Sequence, residues 1–419
     1  MVLYGVWVVG TKIEVYVVRP APPYWCSPLA CAGHALRVMT NRTVLRERAP
    51  AGLEGSRRSL WRGSLRPTVL FVLSRVGVMS VVAAASVSAH HSVMSQLLGW
   101  DTKWYLMVAQ HGYVHAVPPG SGNVAQSDLG FFPLLPILIR AVHFITGFGF
   151  GVAGVITSNL LGLLGAIAAW WLLRDVFGEP GADQGTALIL LSPAAFVLSM
   201  VYSEGAIILF VASSLLALRH RYWIVAGLCA AVATAADPVA SAAIVPCVVA
   251  AFVAVRSRRE WRALWAPLLA PLGIGLFFLY LWAHTGSPFS WFNAQRAGWQ
   301  GGTFGAGIPT AVGHVLLHGF HNLNADVKTI STLVAIALLI YFWRARVPAP
   351  WVAYVVAVLV LGIASPIIGI TPRLLLRDFV LLGVVGASLS RRQFEVVIVV
   401  SVFALATLTV VSGTPFWTP

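Results

Sequence analysis

Residues 186–218 read TALILLSPAAFVLSMVYSEGAIILFVASSLLAL, and their one charged side chain is Glu204. A helix needs about 20 mostly apolar residues to cross a bilayer, and this stretch is longer than one crossing. Ser192-Pro193 and Tyr202-Ser203 interrupt it. It therefore reads as two spans, 186–201 and 204–219, joined by a turn that carries Glu204. A lone carboxylate at mid-bilayer costs about 3 kcal/mol or more. Placing Glu204 at the turn removes most of that cost. There it can orient a sugar, act on the surroundings of a neighbouring acid, or cap the helix that follows Ser203.

Similar apolar runs fall at about 68–90, 131–148, 152–173, 222–236, 238–255, 263–283, 329–343, 350–368, 378–389 and 393–412. The composition agrees: 58% of the 419 residues are hydrophobic and 10% are charged, against about 25% charged in a soluble domain. These values exclude a soluble globule and a disordered chain. The long unbroken runs exclude an outer-membrane barrel, which is built from short alternating segments. The predicted fold is all-α and polytopic.

Basic turns set the topology. Residues 1–67 are Pro- and Arg-rich, with Arg37, Arg42, Arg46, Arg48, Arg57, Arg58, Arg62 and Arg66 before the first long run. They read as a cytoplasmic, poorly ordered basic tail, or in part as the product of a start codon placed too far upstream. The transmembrane domain covers 68–419. Arg174, Arg219/Arg221, Arg256/Arg258/Arg259/Arg262, Arg344/Arg346 and Arg391/Arg392 all fall inside if one run does not span. The run 131–148, with Pro133, Pro136, Arg140 and His143, is that run, a juxtamembrane helix on the outer face. About eleven spans remain, with the N-terminus in and the C-terminus out. The net charge of +14 then reflects helix orientation and anionic lipid heads rather than nucleic acid.

The same parity brings Asp101, Glu204, Asp237, the 284–328 loop and Arg373/Arg377 to the outer side. The first outer loop, about 91–151, contains Trp100-Asp101-Thr102-Lys103-Trp104-Tyr105. At helical spacing Asp101, Trp104 and Tyr105 share a face. Aromatics stack on a pyranose, and a carboxylate takes a hydroxyl proton. The plainer alternative is a helix N-cap at Asp101 beside an interfacial aromatic belt. Asp237-Pro238 has the pattern of an N-cap followed by proline at the first helical position. Arg373 and Arg377, at i and i+4, can hold phosphate oxygens or anchor on lipid heads. His314 and His318 have a spacing that metal ligands use, but no third ligand is fixed by spacing. A divalent metal is not indicated, and no cofactor is expected.

Trp100-Asp101-x-x-Trp104-Tyr105, then Gly112-Tyr113, then Phe131-Phe132-Pro133-Leu134-x-Pro136 resembles the PIG-V family of mannosyltransferases in the GT-C superfamily. The resemblance continues at Ser192-Pro193, Tyr202-Ser203-Glu204, Thr285-Gly286-x-Pro288 and Gln295-x-x-x-Trp299. It covers most of residues 95–300. One departure is Ala236-Asp237-Pro238 where a Thr-Arg-Pro-like motif is expected, an anion in place of a cation. The resemblance implies a GT-C-like membrane fold and an inverting transferase. Its donor would be a polyprenyl-phosphate sugar, mannose by the family, and its acceptor a hydroxyl of a lipid-linked or cell-envelope molecule. The site would be extracytoplasmic, with Asp101 as general base. Trp100, Trp104, Tyr105, Tyr202, Glu204, Gln295, Arg296, Trp299, Arg373 and Arg377 are the expected substrate-binding residues, with the 284–328 loop as a cover. A transporter or lipid flippase is the alternative. It would show inverted repeats and midplane sites, whereas here the polar groups gather at one end.

Overall fold

The computed structural model describes residues 5–9, 12–16, 53–90, 92–116, 126–299, 305–365, 369–414 and 417. Two units are distinct, Met1–Ser56 and Arg57–Pro419. In the first, β1 (Gly5–Val9) pairs antiparallel with β2 (Lys12–Tyr16), Val6 opposite Val15 and Trp7 opposite Glu14. These ten residues form regular structure within the segment expected to be largely irregular. Their alternation of Val, Ile, Trp and Tyr suits a strand pair, with Lys12 and Glu14 inside β2. The tail's end is corrected too, because α1 (Leu53–Ser88) begins well before residue 68.

The second unit is all helical among the described residues. After α1 come α2 (Val93–Leu97), α3 (Thr102–His111) and α4 (Leu134–Thr146). Then follow α5 (Phe150–Leu190), α6 (Glu204–Arg219), α7 (Trp223–Thr234) and α8 (Ile244–Arg258). The chain continues through α9 (Trp265–Leu269), α10 (Leu272–Thr285), α11 (Ser290–Trp299) and α12 (Gly307–His318). It closes with α13 (Leu323–Arg344), α14 (Ala349–Ala364), α15 (Pro372–Arg377), α16 (Phe379–Ser388) and α17 (Arg391–Ser412). Among the described residues six helical segments are long and apolar enough to cross a membrane. They are Gly63–Ser88, Phe150–Leu190, Pro238–Arg258, Trp261–Thr285, Leu323–Arg344 and Arg391–Ser412. The helices α7, α14 and α16 are shorter and apolar. Large side chains such as Phe252, Leu276 and Val399 stay exposed on these helices, as lipid-facing surfaces require.

α5 is two helices in one. Gly178 has φ +73° and breaks the helical path just before Pro180. Trp170 donates from Nε1 to Asp183 Oδ1 at 2.7 Å across the bend, so the two limbs run antiparallel. Arg66 of α1 joins them, pairing with Asp183 at 2.8 Å and Glu179 at 3.3 Å. Arg219, closing α6, pairs with Asp175 in the same region. Glu204, opening α6, lies at the opposite end, roughly 22 Å away at 1.5 Å per residue. Arg219 and Glu204 thus lie at opposite ends of α6.

α4 is the run expected not to span. It buries Leu135, Pro136 and Ile139 and exposes Ile137, Phe144 and Ile145. Its Arg140 donates from Nε to Ala109 O at 2.7 Å, capping the end of α3. α4 is thereby laid against the helix that carries the first candidate residues.

The α5–α6 contact is made by glycines. A Cβ on Gly205 would sit 2.7 Å from the Gly162 nitrogen, with further backbone at 3.1 Å. Only hydrogen fits there, and the close approach fixes the first turn of α6. Gly205→Ala is expected to cost about 1–3 kcal/mol by overpacking. The measurement is the temperature at which the detergent-solubilised protein loses monodispersity. An unchanged transition would show that the two helices separate freely.

Candidate functional site

Five charged side chains from four parts of the chain meet at the Glu204 end. α15 supplies two. Thr371 caps it, its side chain accepting from Leu374 N, and Pro372 occupies the first turn. With α15 fixed, Arg373 and Arg377 lie on one face. Arg373 donates from Nε to Glu204 Oε1 at 2.8 Å and from Nη1 to Asp101 Oδ2 at 3.0 Å. Arg377 donates to the same Glu204 oxygen at 3.1 Å and pairs through Nη2 with Asp237 Oδ2 at 2.9 Å. The chain of contacts is Asp101–Arg373–Glu204–Arg377–Asp237. Glu204 is fully buried, whereas Asp101 keeps 28% of its side chain exposed.

The two readings of Asp101 now separate. It precedes α3, but its side chain makes no capping bond. Its carboxylate goes to Arg373 instead. The residue before it, Trp100, has φ +58°, a left-handed backbone that a bulky residue adopts only under constraint. The constraint is visible: Trp100 Nε1 donates to Ser412 O at 2.8 Å, at the end of α17. Asp101 N in turn donates to the Tyr202 hydroxyl at 3.3 Å.

For Asp237 both functions coexist. Oδ1 accepts from Val239 N at 2.9 Å as an N-cap before Pro238. Oδ2 pairs with Arg377. The anion found where a cation was expected is matched by an arginine from a distant helix. Burial pushes the Asp237 carboxyl upward, against the pull of Arg377. Three carboxylates thus face two guanidinium groups in this network.

The aromatics expected around the acid divide. Tyr202 lies buried beneath Arg373, whose guanidinium carbon is 4.4 Å from the ring centroid. Tyr105 is buried too, its hydroxyl 3.5 Å from Ser203 Oγ and its ring edge-on to Phe131. Trp104 stacks on Phe131 at 5.8 Å and is partly exposed. Phe131 thus joins the two aromatic residues of α3.

Gln295 sits elsewhere. On α11 it donates to Gly130 O at 3.3 Å, and Trp291 Nε1 bonds the same oxygen at 3.2 Å. This ties the 284–328 region to the turn before Phe131. Arg296 is exposed. Trp299 closes α11, and its side chain lies outside the described residues, as does Gln300. His314 and His318 have ring centroids 4.9 Å apart on α12. No group of three His, Cys, Asp or Glu side chains converges for a metal among the described residues.

Two residues escaped the sequence reading. Arg75, in the middle of α1, is buried and donates to Ala195 O at 2.6 Å, Leu190 O at 3.2 Å and Ser199 Oγ at 3.2 Å. It pins the 3₁₀ turn Ala195–Ser199 that leads into Tyr202-Ser203-Glu204. A charge inside an apolar run was the available signal. Asp128 is buried beside Val114 N at 3.4 Å, and burial raises its carboxyl. The sequence around Asp128 gave no sign of that burial.

Beside the network runs an apolar groove of about 700 Å³ between the Pro238–Arg258 segment and α14. Ser241 and Ala242 line one end, and Val352, Val356 and Val360 line the opposite wall. The groove starts one turn beyond Asp237. Tyr354, on the α14 wall helix, donates to Arg377 O at 2.8 Å.

The architecture is that of a polytopic helical membrane protein. The chain is similar to the crystal structure of ArnT from Cupriavidus metallidurans bound to undecaprenyl phosphate. The TM-score is 0.51 at 15% identity, over 78% of this chain and 61% of that one. The apo crystal structure of the same ArnT aligns with a TM-score of 0.40 at 16% identity, over 70% and 55%. The chain therefore spans about three-fifths of the length of ArnT. No protein-family model matches the sequence, and no curated protein sequence matches it.

The double duty of Asp237 is separable. Asp237→Asn keeps a capping oxygen and loses the ion pair, while Asp237→Ala loses both. Thermal unfolding in detergent is expected to rank wild type above Asn, and Asn above Ala by about 1 kcal/mol. Coincident transitions for the two variants would assign no stability to the cap.

Proposed function

We propose that this protein is a membrane glycosyltransferase that moves a sugar from a polyprenyl-phosphate donor to an acceptor hydroxyl, with inversion. The carrying observation is the direct contact between a part-exposed carboxylate, Asp101, and a cationic helix bearing Arg373 and Arg377. Inverting transfer needs a base for the attacking hydroxyl and a cation for the departing phosphate, and this contact brings one of each to the same place. Asp101 takes the proton of the acceptor hydroxyl as its oxygen bonds to the anomeric carbon. The bond from that carbon to the phosphate oxygen breaks, and its electron pair leaves with the lipid phosphate. A phosphate is a stable leaving anion, so a single carboxylate suffices, unlike the paired carboxylates of glycosidases. Arg373 supplies hydrogen bonds and charge to that anion. The groove beside Asp237 and Arg377 suits a hydrocarbon tail. The likeness to ArnT, crystallised with undecaprenyl phosphate, supports the donor class.

Mannose as the sugar rests on the PIG-V-like motifs, and the acceptor is a lipid-linked or cell-envelope hydroxyl. No metal takes part in this scheme. Trp104 is the aromatic best placed to meet a sugar, because Tyr105 and Tyr202 are buried. Trp100, Tyr202 and Glu204 hold Asp101 and Arg373 in position. Gln295, with Arg296 and Trp299 on the same helix, belongs to the cover over the site. The network end is extracytoplasmic and the Asp175–Arg219 end cytoplasmic, following the basic turns. The transporter reading finds less support, since the charges gather at one end of the helices.

Asp101→Asn is expected to lower transfer about 10²–10⁴-fold while the protein still inserts and purifies. The assay follows radiolabelled polyprenyl-phosphomannose into extracted lipids, with membranes containing or lacking the protein. Full activity in the variant would remove Asp101 from the mechanism. For orientation, a cysteine at exposed Arg296 should react with a membrane-impermeant thiol reagent in intact cells, and one at Arg391 only after permeabilisation. The reverse pattern would invert the topology.

A further inference from the structure

Arg373 holds two carboxylates at once, and the two contacts differ in kind. The bond to Glu204 is a fixture, because that carboxylate is fully buried, starts α6 and is shared with Arg377. The bond to Asp101 is part-exposed, and Asp101 makes no capping bond to α3 that would hold it in place. Arg377 has no comparable loose partner. It is clamped between Glu204 and Asp237, both nearly or fully buried. An incoming anion therefore meets one guanidinium edge whose present ligand is exchangeable, the Nη1 edge of Arg373. A phosphate offers the same acceptor oxygens as a carboxylate, in a geometry that guanidinium recognises well.

We infer that the donor's phosphate displaces Asp101 from Arg373, so that donor binding itself frees the base and precedes acceptor binding. The inference rests on the glycosyl-transfer reading of the site. It assigns Arg373 as the phosphate ligand and Arg377 as a strut that holds Glu204. It also closes the cycle. The proton taken from the acceptor hydroxyl passes from Asp101 to water. The ionised carboxylate then competes with the lipid phosphate for Arg373, which helps the product leave and restores the resting pair.

The test is binding of undecaprenyl phosphate, without sugar, to the full-length protein in nanodiscs, read by native mass spectrometry. Asp101→Asn removes the competing carboxylate and is expected to bind the probe about twofold to fivefold more tightly, the size of a part-exposed ion pair. The gain should vanish in an Arg373→Gln background, as a double-mutant cycle requires of directly coupled residues. Arg373→Lys, which keeps the charge, serves in the same cycle if the glutamine variant does not fold. Asp128→Asn removes a negative charge that does not touch Arg373 and should leave affinity unchanged. Equal or weaker binding by Asp101→Asn would overturn the inference, as would an equal gain from Asp128→Asn, which would point to bulk charge alone. Absence of binding by wild type and Asp101→Asn alike is a different failure, since it would remove the polyprenyl-phosphate reading itself.

Discussion

A carboxylate with no exposed surface needs donors from within the protein, and two arginines of one short helix converge on Glu204 Oε1. The rest of the site is arranged around that requirement. Removing one partner of such a buried pair strands a charge, at a cost several times that of a surface ion pair. Arg373 and Arg377 must therefore be held at the same depth as the first turn of α6. The Gly162–Gly205 contact sets that turn from one side, and Arg75 fixes the segment leading into it from another. Once both are in place, the outer donors of the two arginines have fixed directions, and Asp101 and Asp237 fall where those donors point.

The network separates structural from reactive duty by exposure. Its inner members are shut away from solvent and neutralise one another. Its outermost member, Asp101, keeps the most exposed surface of the five. The same gradient runs through the aromatics. Tyr105 and Tyr202 are absorbed into the support, while Trp104 remains partly open against Phe131. A site built in this way can keep a hydrophilic centre next to lipid without exposing more than one ionised group.

Much of this was legible in the sequence. Glu204 in an apolar stretch demanded a turn, and the basic turns assigned that turn to the same side as Asp101 and the two arginines. The prolines, Arg140 and closing glycines of 131–148 set that run apart, and it forms the short helix α4, tied to α3 through Arg140. Pairing was harder to read. Asp237-Pro238 has the pattern of a helix start, and it is one. The pattern cannot show that the second carboxylate oxygen faces an arginine 140 residues on, because a contact between distant helices leaves no local periodicity. Arg75 was hidden for the opposite reason. Its partners are mainly backbone carbonyls, which carry no sequence signature. The hairpin of residues 5–16 lay in a segment whose arginine-rich composition masked a short alternating pattern.

The order in which these charges are made has a consequence for biogenesis. Glu204 precedes Arg373 by 169 residues along the chain. Synthesis is vectorial, so the acid reaches the insertion machinery long before its counter-ions have been translated. Until α15 arrives, the turn carrying Glu204 has to wait at the aqueous boundary or carry a proton. Docking of the last helices is then what draws it into the interior. Premature termination between residues 204 and 373 would leave an unneutralised acid at the membrane, a feature by which quality-control proteases could recognise an unfinished copy.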